Sequence, residues 1–256
     1  MGKVHDAVDD RNIEIEDVGI VKYKLPITFK SKEKYQTIAQ IKSGVSLANN
    51  IKGAHLSRII EVFDEKAVNK TITIDSFVDI LKELQQKLEL NNANLQMEFG
   101  IVIPSVTPVS NKTTYLNSDV VLSGNVKDNT VEKSISLTAD GAMLCPNSKS
   151  ISNVATHSQK CKLKATLYGE INDLVIEDLL KIIFGQFSAE VYGIVKSIDE
   201  KMLVEKAYQN PKFSEDLVRD TLIKLREYHK VGTIVVEIEN IESIHQHNVY
   251  AKGILK

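Results

Sequence analysis

Apolar and polar residues alternate with a period of two over most of this chain, and helical spacing breaks in at a few places. Residues 13–29 (I-E-I-E-D-V-G-I-V-K-Y-K-L-P-I-T-F) and 35–47 predict two strands. A helix starting at or just before Ser57 carries Ile59, Ile60 and Phe63. A stronger one follows from Asp75 as N-cap, with Phe77, Ile80, Leu81, Leu84 and Leu88 on one face. Leu95, Met97, Phe99, Ile101 and Ile103 alternate strictly as a strand that Pro104 and Pro108 interrupt, and residues 114–122 predict another. After the turn-rich N-V-K-D-N-T the order repeats. Residues 131–144 and 157–168 predict strands, and 176–187 and about 189–196 predict helices. Pro211 opens a further helix with Asn210 as N-cap and a stripe of Phe213, Leu217, Val218, Thr221, Leu225 and Tyr228. Residues 233–238 and 244–255 close the chain as strands.

Each half therefore reads strand, strand, helix, helix, strand, strand. That order predicts an α+β fold of two tandem modules, with antiparallel sheets each covered on one face by helices. The modules are placed at residues 13–126 and 127–256, after a polar tail (1–12) ordered by a partner surface. Sheet edges must be covered or paired, so self-association into a homo-oligomer is expected.

Composition narrows the function classes. The chain has 256 residues, 43% apolar and 26% charged, with net charge -2. The usual electrostatic footprint for nucleic acid is missing. No apolar run reaches the length of a membrane span, and the N-terminal residues do not form the apolar core of a signal peptide. Two cysteines, Cys145 and Cys161, fit a reducing, cytoplasmic setting.

The chemistry gathers in residues 142–161, A-M-L-C-P-N-S-K-S-I-S-N-V-A-T-H-S-Q-K-C. Cys145 shares a parity with Ile135, Leu137 and Ala139, and His157 with Leu163, Ala165 and Leu167. A thiol and an imidazole at neighbouring strand ends can converge, and both are good ligands for zinc or iron(II). Further polar residues lie in three later clusters. One contains Asp199, Glu200 and Glu205, another Glu215, and the third His245 and His247, which share a face if they lie on a strand. Each also has a plain reading. A lone cysteine is commonly a small buried residue, Glu215 can pair with Arg219 four residues on, and Arg58 can pair with Glu61.

Five blocks carry a resemblance: K-G-A-H-L-S-R-I-I-E (52–61), L-C-P-N-S-K-S-I-S (144–152), T-H-S-Q-K (156–160), D-E-K-M-L-V-E-K-A-Y-Q-N-P-K-F-S-E-D-L-V-R (199–219) and E-S-I-H-Q-H-N-V-Y-A-K (242–252). In that order they resemble the type IB GTP cyclohydrolase family, the prokaryotic form of GTP cyclohydrolase I, over about four-fifths of the chain. The resemblance implies two tunnelling-fold (T-fold) modules per subunit and a cytoplasmic homotetramer with active sites at subunit interfaces. It implies conversion of GTP and water to 7,8-dihydroneopterin triphosphate and formate, on the way to folate or queuosine-type nucleosides. It implies one divalent metal per site (zinc, iron(II) or manganese) on Cys145, His157 and Glu200, activating water. Glu215 would hold the guanine edge, and His245 or His247 would assist proton transfer or sit close to the metal. Ser57, Arg58 and Lys160 would meet phosphate or ribose oxygens.

Four positions in three blocks depart from the family pattern, Ser158 among them. Asn147 stands where C-P-C has its second cysteine. H-N-Q-R has become H-S-Q-K at Lys160, and H-x-H-D has become H-Q-H-N at Asn248. An asparagine hydrogen-bonds but does not become a thiolate. Two alternatives therefore stand beside the cyclohydrolase. One is a T-fold relative with an altered substrate or product, and the other a non-catalytic purine- or pterin-binding protein. A T-fold nitrile reductase fits less well, because it needs no metal set.

Overall fold

A computed structural model describes residues 7–230 and 232–256. Strands and helices run in the order β1 Ile15–Lys30, β2 Lys34–Leu47, α1 Leu56–Lys66, β3 Thr71–Ile72, α2 Ile74–Leu88, β4 Asn92–Val106, β5 Thr113–Lys127 and β6 Thr130–Leu144. Then come α3 Pro146–Ile151, β7 Ser158–Tyr168, α4 Ile176–Phe184, β8 Ala189–Glu190, α5 Ser197–Gln209, α6 Ser214–Tyr228, β9 Ile234–Ile241 and β10 Val249–Leu255.

The chain divides into two compact units. The first holds the chain up to Gly100 together with Val120–Ile135, and the second Ile101–Asp119 with Ser136–Lys256. The long strands β4, β5 and β6 thus each contribute to both. The division expected at 126/127 falls at the β5–β6 hairpin, whose turn residues Asp128 and Asn129 both have positive φ (48° and 65°). Asn and Asp tolerate that conformation, and two successive positive φ values match the twist of a two-residue hairpin.

In the first unit the strand order is β3-β1-β2-β4-β5-β6. β1 and β2 pair antiparallel from Ile15↔Leu47 to Lys30↔Lys34, and β3 joins β1 in parallel. Ile59, Val62 and Phe63 of α1 and Phe77, Ile80, Leu81 and Leu84 of α2 are buried, as are Phe29, Ile41, Leu95 and Met97 on the strands. Phe29 and Phe99 pack with ring centres 4.8 Å apart. α2 starts at Thr73 rather than Asp75. The Thr73 hydroxyl accepts the Ser76 N–H (3.1 Å) while Ser76 Oγ accepts the Thr73 N–H (2.8 Å), a reciprocal cap that Asp75 cannot form from inside the first turn. Residues 1–6 of the tail lie outside the described residues. The rest is held by the chain itself: Val8 bridges Ile51, and the Asp9 N–H bonds the Asn50 carbonyl at 3.0 Å.

In the second unit the order is β4-β5-β6-β7-β9-β10, with β8 beside β6. β7–β9 and β9–β10 are antiparallel. α6 lies on β9 and β10 and against α4. Leu137, Leu163, Ala165, Leu167, Leu179, Ile183, Leu217, Leu225 and Val236 form the buried layer. Pro104 does not end β4. It lies beyond the stretch (Asn94 to Glu98) that pairs with β2, so its missing N–H costs no bond on that side.

Three expectations fail here. Residues 189–196 form no helix. Ala189 and Glu190 pair with Ala142 and Gly141 of β6, and the V-Y-G-I-V run that follows favours extended chain. The helix comes next, at α5. Asn210 ends α5 instead of opening α6, and α6 begins at Ser214 with Phe213 as its N-cap, whose N–H is taken by Asp216 Oδ2 at 3.0 Å. Residues 242–248 leave the ladder, so β10 begins at Val249 rather than near Ile244. No helix among the described residues is long and apolar enough to cross a membrane.

Candidate active site

β6 ends where Cys145 becomes the N-cap of the short helix α3, with Pro146 in the first helical turn. The thiol sulfur accepts the Ser148 N–H at 3.4 Å. Residues 152–157 then return to the same point. The Cys145 N–H donates to the His157 carbonyl (3.4 Å), and the Thr156 hydroxyl donates to the Cys145 carbonyl (2.9 Å). Cys145 and His157 are thereby tied at the neighbouring ends of β6 and β7, where the sequence alternation put them. Cys145 is half-buried, whereas Cys161 is fully buried, and burial pushes its thiol up to about 12. Both are free thiols.

The His157 side chain is only 12% exposed, and its Nδ1 lies 3.9 Å from Oε2 of Glu242, a carboxylate only 5% exposed. Neither atom has a hydrogen-bond partner. The other Glu242 oxygen is held by Gln159 Nε2, so the free oxygen is turned to the imidazole. Two buried, unpaired polar atoms facing one another cost free energy unless a third group bonds both. The loop 242–248 brings two more imidazoles to this corner. The His245 ring lies edge-on to His157 at 6.5 Å, and His247 stacks on His245 at 5.2 Å. The two late histidines therefore come together through a loop and not through a shared strand face.

The remaining candidates are placed less closely. Glu200 is exposed in the first turn of α5, and among the described residues no three His, Cys, Asp or Glu side chains are gathered to hold a metal. Glu215 is exposed in the first turn of α6, and Arg219 pairs with Asp216 (3.6 Å) rather than with it. Lys160 bonds Asp140 across to β6 at 2.9 Å. In the first unit, Ser57 is exposed in the first turn of α1. Arg58 donates to the Lys87 carbonyl (3.2 Å) at the end of α2 and lies 3.8 Å from Glu89, so it does not pair with Glu61. Beside Cys145 and His157, their neighbours Leu144, Thr156 and Ser158 line an apolar groove of about 620 Å³ whose opposite wall is Leu203, Ala207 and Tyr208 of α5.

Sequence reasoning passed over Glu242 and Gln159 as site residues and gave Asp199 no role. The only available signal was position: Gln159 follows His157 by two on a strand, and Glu242 opens the block that holds His245 and His247. Asp199 is wholly buried. Burial raises a carboxyl pKa, but hydrogen bonds from Ser110, Val109 and Lys196 outweigh it and hold this one at about 2.

Comparison with known proteins identifies the family. Residues 1–251 match the family described as GCHY-1, type I GTP cyclohydrolase folE2. GTP cyclohydrolase FolE2 2 of Dechloromonas aromatica is 34% identical over 251 residues, covering 97% of this chain and 92% of the relative. GTP cyclohydrolase FolE2 of Azoarcus sp. is 35% identical over 252 residues, again 97% and 92%. Among solved structures, uricase from Arthrobacter globiformis superposes with a TM-score of 0.52 at 7% identity, over 100% of this chain and 96% of that one, a likeness of fold alone.

Proposed function

The chain belongs to the type I GTP cyclohydrolase FolE2 family, and we propose that it carries out that family's reaction at the corner built by Cys145, His157 and Glu242. GTP gains one water in net, C8 of its guanine leaves as formate, and the remaining atoms become 7,8-dihydroneopterin triphosphate, a precursor for folate. The observation that carries this reading is the unpaired His157 Nδ1 facing the unpaired Glu242 Oε2 beside a half-buried thiol.

Cys145 and His157 offer a soft thiolate and an imidazole, donor types that suit zinc, iron(II) or manganese. They would hold one such divalent cation, with Glu200 as the further ligand, and when bound it would supply a polarised water. The chain's own side chains do the rest. Glu242, fixed by Gln159 with its other oxygen free, accepts a proton from water attacking C8. The Glu215 carboxylate accepts two hydrogen bonds from the N–H groups of the guanine edge and so discriminates against bases that lack them. His245 and His247 pass protons to the departing ring nitrogen. Lys160 meets phosphate or ribose oxygens once its Asp140 contact is exchanged for the nucleotide, and Ser57 and Arg58 are proposed for the same role in the assembled oligomer.

We read the two units as tandem T-fold modules, and the working form as a cytoplasmic homotetramer with shared sites. β10 ends the strand order of the second unit, and Ile151, Val154, Val204 and Tyr250 are exposed around this region. The exposed Glu200 and Glu215 are available to a neighbouring copy.

A second reading is kept open by Asn147, which takes the place of a cysteine in the first turn of α3: a relative with slowed or altered chemistry. One experiment separates them. Purified protein is reconstituted anaerobically with iron(II), manganese or zinc and given GTP, with formate and fluorescent oxidised pterin as readouts. Metal-dependent formate and neopterin, lost in Cys145→Ala, support the cyclohydrolase. A folded protein that binds GTP but releases no formate with any metal refutes it, and activity regained in Asn147→Cys would locate the defect.

A further inference from the structure

Glu200 sits on a helix whose apolar anchor is small, Leu203 and Ala207 against Leu144 and Ala189, yet its position is not loose. Only Asp199 and Ala207 of α5 are buried. Asp199 is fully buried and accepts hydrogen bonds from four donors. They are the Val109 N–H at 3.0 Å, the Ser110 N–H at 2.8 Å, the Ser110 hydroxyl, and the Lys196 N–H at 3.1 Å, the last being the N-cap amide of its own helix. One carboxylate therefore closes the first turn of α5 and clamps that turn to the β4–β5 connection. The connection is itself rigid: Thr107 Oγ1 contacts Ser110 Oγ at 2.9 Å and accepts the Lys112 N–H at 2.9 Å. A negative charge at this point also complements the helix N-terminus. The next residue along the same turn is Glu200.

We propose that Asp199 is the positioning residue for Glu200. Without a hydrophobic stripe to set the rotation and depth of α5, the clamp to Val109 and Ser110 fixes where the neighbouring carboxylate emerges. This rests on the reading of Glu200 as a metal ligand given above. A residue so placed acts only through Glu200, so its loss matters only while Glu200 is present.

The test is a double-mutant cycle on the full-length protein, read by Mn(II) binding from the electron paramagnetic resonance signal of free Mn(II), with no turnover needed. Asp199→Asn keeps the shape but turns one acceptor into a donor aimed at N–H groups. Its Mn(II) affinity should fall by about ten- to a hundred-fold, the range for partners that orient a ligand. In the Glu200→Gln background the same change should have no further effect, because the two act as one unit. Ser110→Ala, which removes one donor and leaves three, should show the same pattern at smaller amplitude and decides the matter if Asp199→Asn does not fold. Parent-like affinity in folded Asp199→Asn overturns the proposal, as does an equal loss with and without Glu200. Parent-like affinity in Glu200→Gln alone would show instead that Glu200 is not a ligand, which overturns the ligand set and the positioning role together.

Discussion

At Gly141 one added carbon would run into a buried aromatic ring. The glycine lies on β6 opposite Glu190, four residues before Cys145. A Cβ built there would stand 2.0, 2.3 and 2.4 Å from Cγ, Cδ1 and Cδ2 of Phe187, against the roughly 3.5–4 Å of a relaxed carbon contact. Phe187 is only 2% exposed, so the ring has little free space into which to retreat by the required ~1.5 Å. Overpacking of a closed core costs about 1–3 kcal/mol, and an overlap on the ring itself belongs at the upper end. Gly141→Ala should thus lose about 3 kcal/mol, and at 2–4 °C per kcal/mol for a chain of this size its Tm should fall by about 6–12 °C. The next residue, Ser188, accepts the Leu144 N–H at 3.2 Å, so a displaced Phe187 should disturb the Cys145 corner and lower formate release as well. Circular dichroism melts of the parent, Gly141→Ala, Phe187→Leu and the double variant test this. The double variant should recover more than half of what Gly141→Ala loses. If Gly141→Ala melts within about 2 °C of the parent, or Phe187→Leu gives no relief, the packing argument is wrong.

Glu242→Gln should fold normally but lower turnover by about a hundred-fold, the scale of a lost general base, with Gln159→Ala giving a smaller loss; steady-state formate assays check both. Iodoacetamide at neutral pH should add one alkyl group per native chain, at Cys145, because Cys161 is buried with its thiol pushed up to about 12; intact-mass spectrometry would show a second group if this is wrong. Burial, with a smaller push from Arg226, lowers the pKa of His229 below its ordinary 6.5. The folded state then binds the proton less readily than the unfolded one, so stability is full above pH 6.5 and falls as pH drops below it. His229→Gln should flatten that slope in urea titrations between pH 7 and 5.

How much of this was legible in the sequence depended on whether an element buries a regular face. The alternation of Leu95 to Ile103 and the stripes of α2 and α6 mark their elements because each packs against a sheet. α5 escaped because its buried residues are an aspartate and an alanine, and tertiary hydrogen bonds replace the missing stripe. Residues 244–248 of the loop carry a strand signal because I-H-Q-H-N-V-Y mimics alternation. In the structure the loop serves ring stacking and the Glu242 contact, not the ladder. Cys145 and His157 were found from parity and from the family blocks together. Glu242 had no periodic signal, since its role comes from a contact with a residue 85 positions earlier that only the fold creates.

The positions that depart from the family pattern are accommodated locally in ways that the chemistry explains. Lys160 replaces an arginine and makes a single contact with Asp140 at 2.9 Å, for which a point charge serves as well as a planar fork. Asn248 replaces an aspartate and donates from Nδ2 to Glu239 Oε1 at 2.8 Å, where a second carboxylate would meet like charge. That bond ties the end of the loop carrying His245 and His247 to β9, so at this position the amide supports the site geometry that an acid would strain. Asn147 is different. Its carbonyl accepts the Ser150 hydroxyl at 2.7 Å within α3, a backbone contact that any residue could provide. Nothing in the fold therefore compensates for the lost thiol. Asn147 is thus a departure whose consequence must be felt in the reaction rather than in the structure, and Asn147→Cys should change turnover while leaving Tm within about 1 °C of the parent, as surface changes generally do.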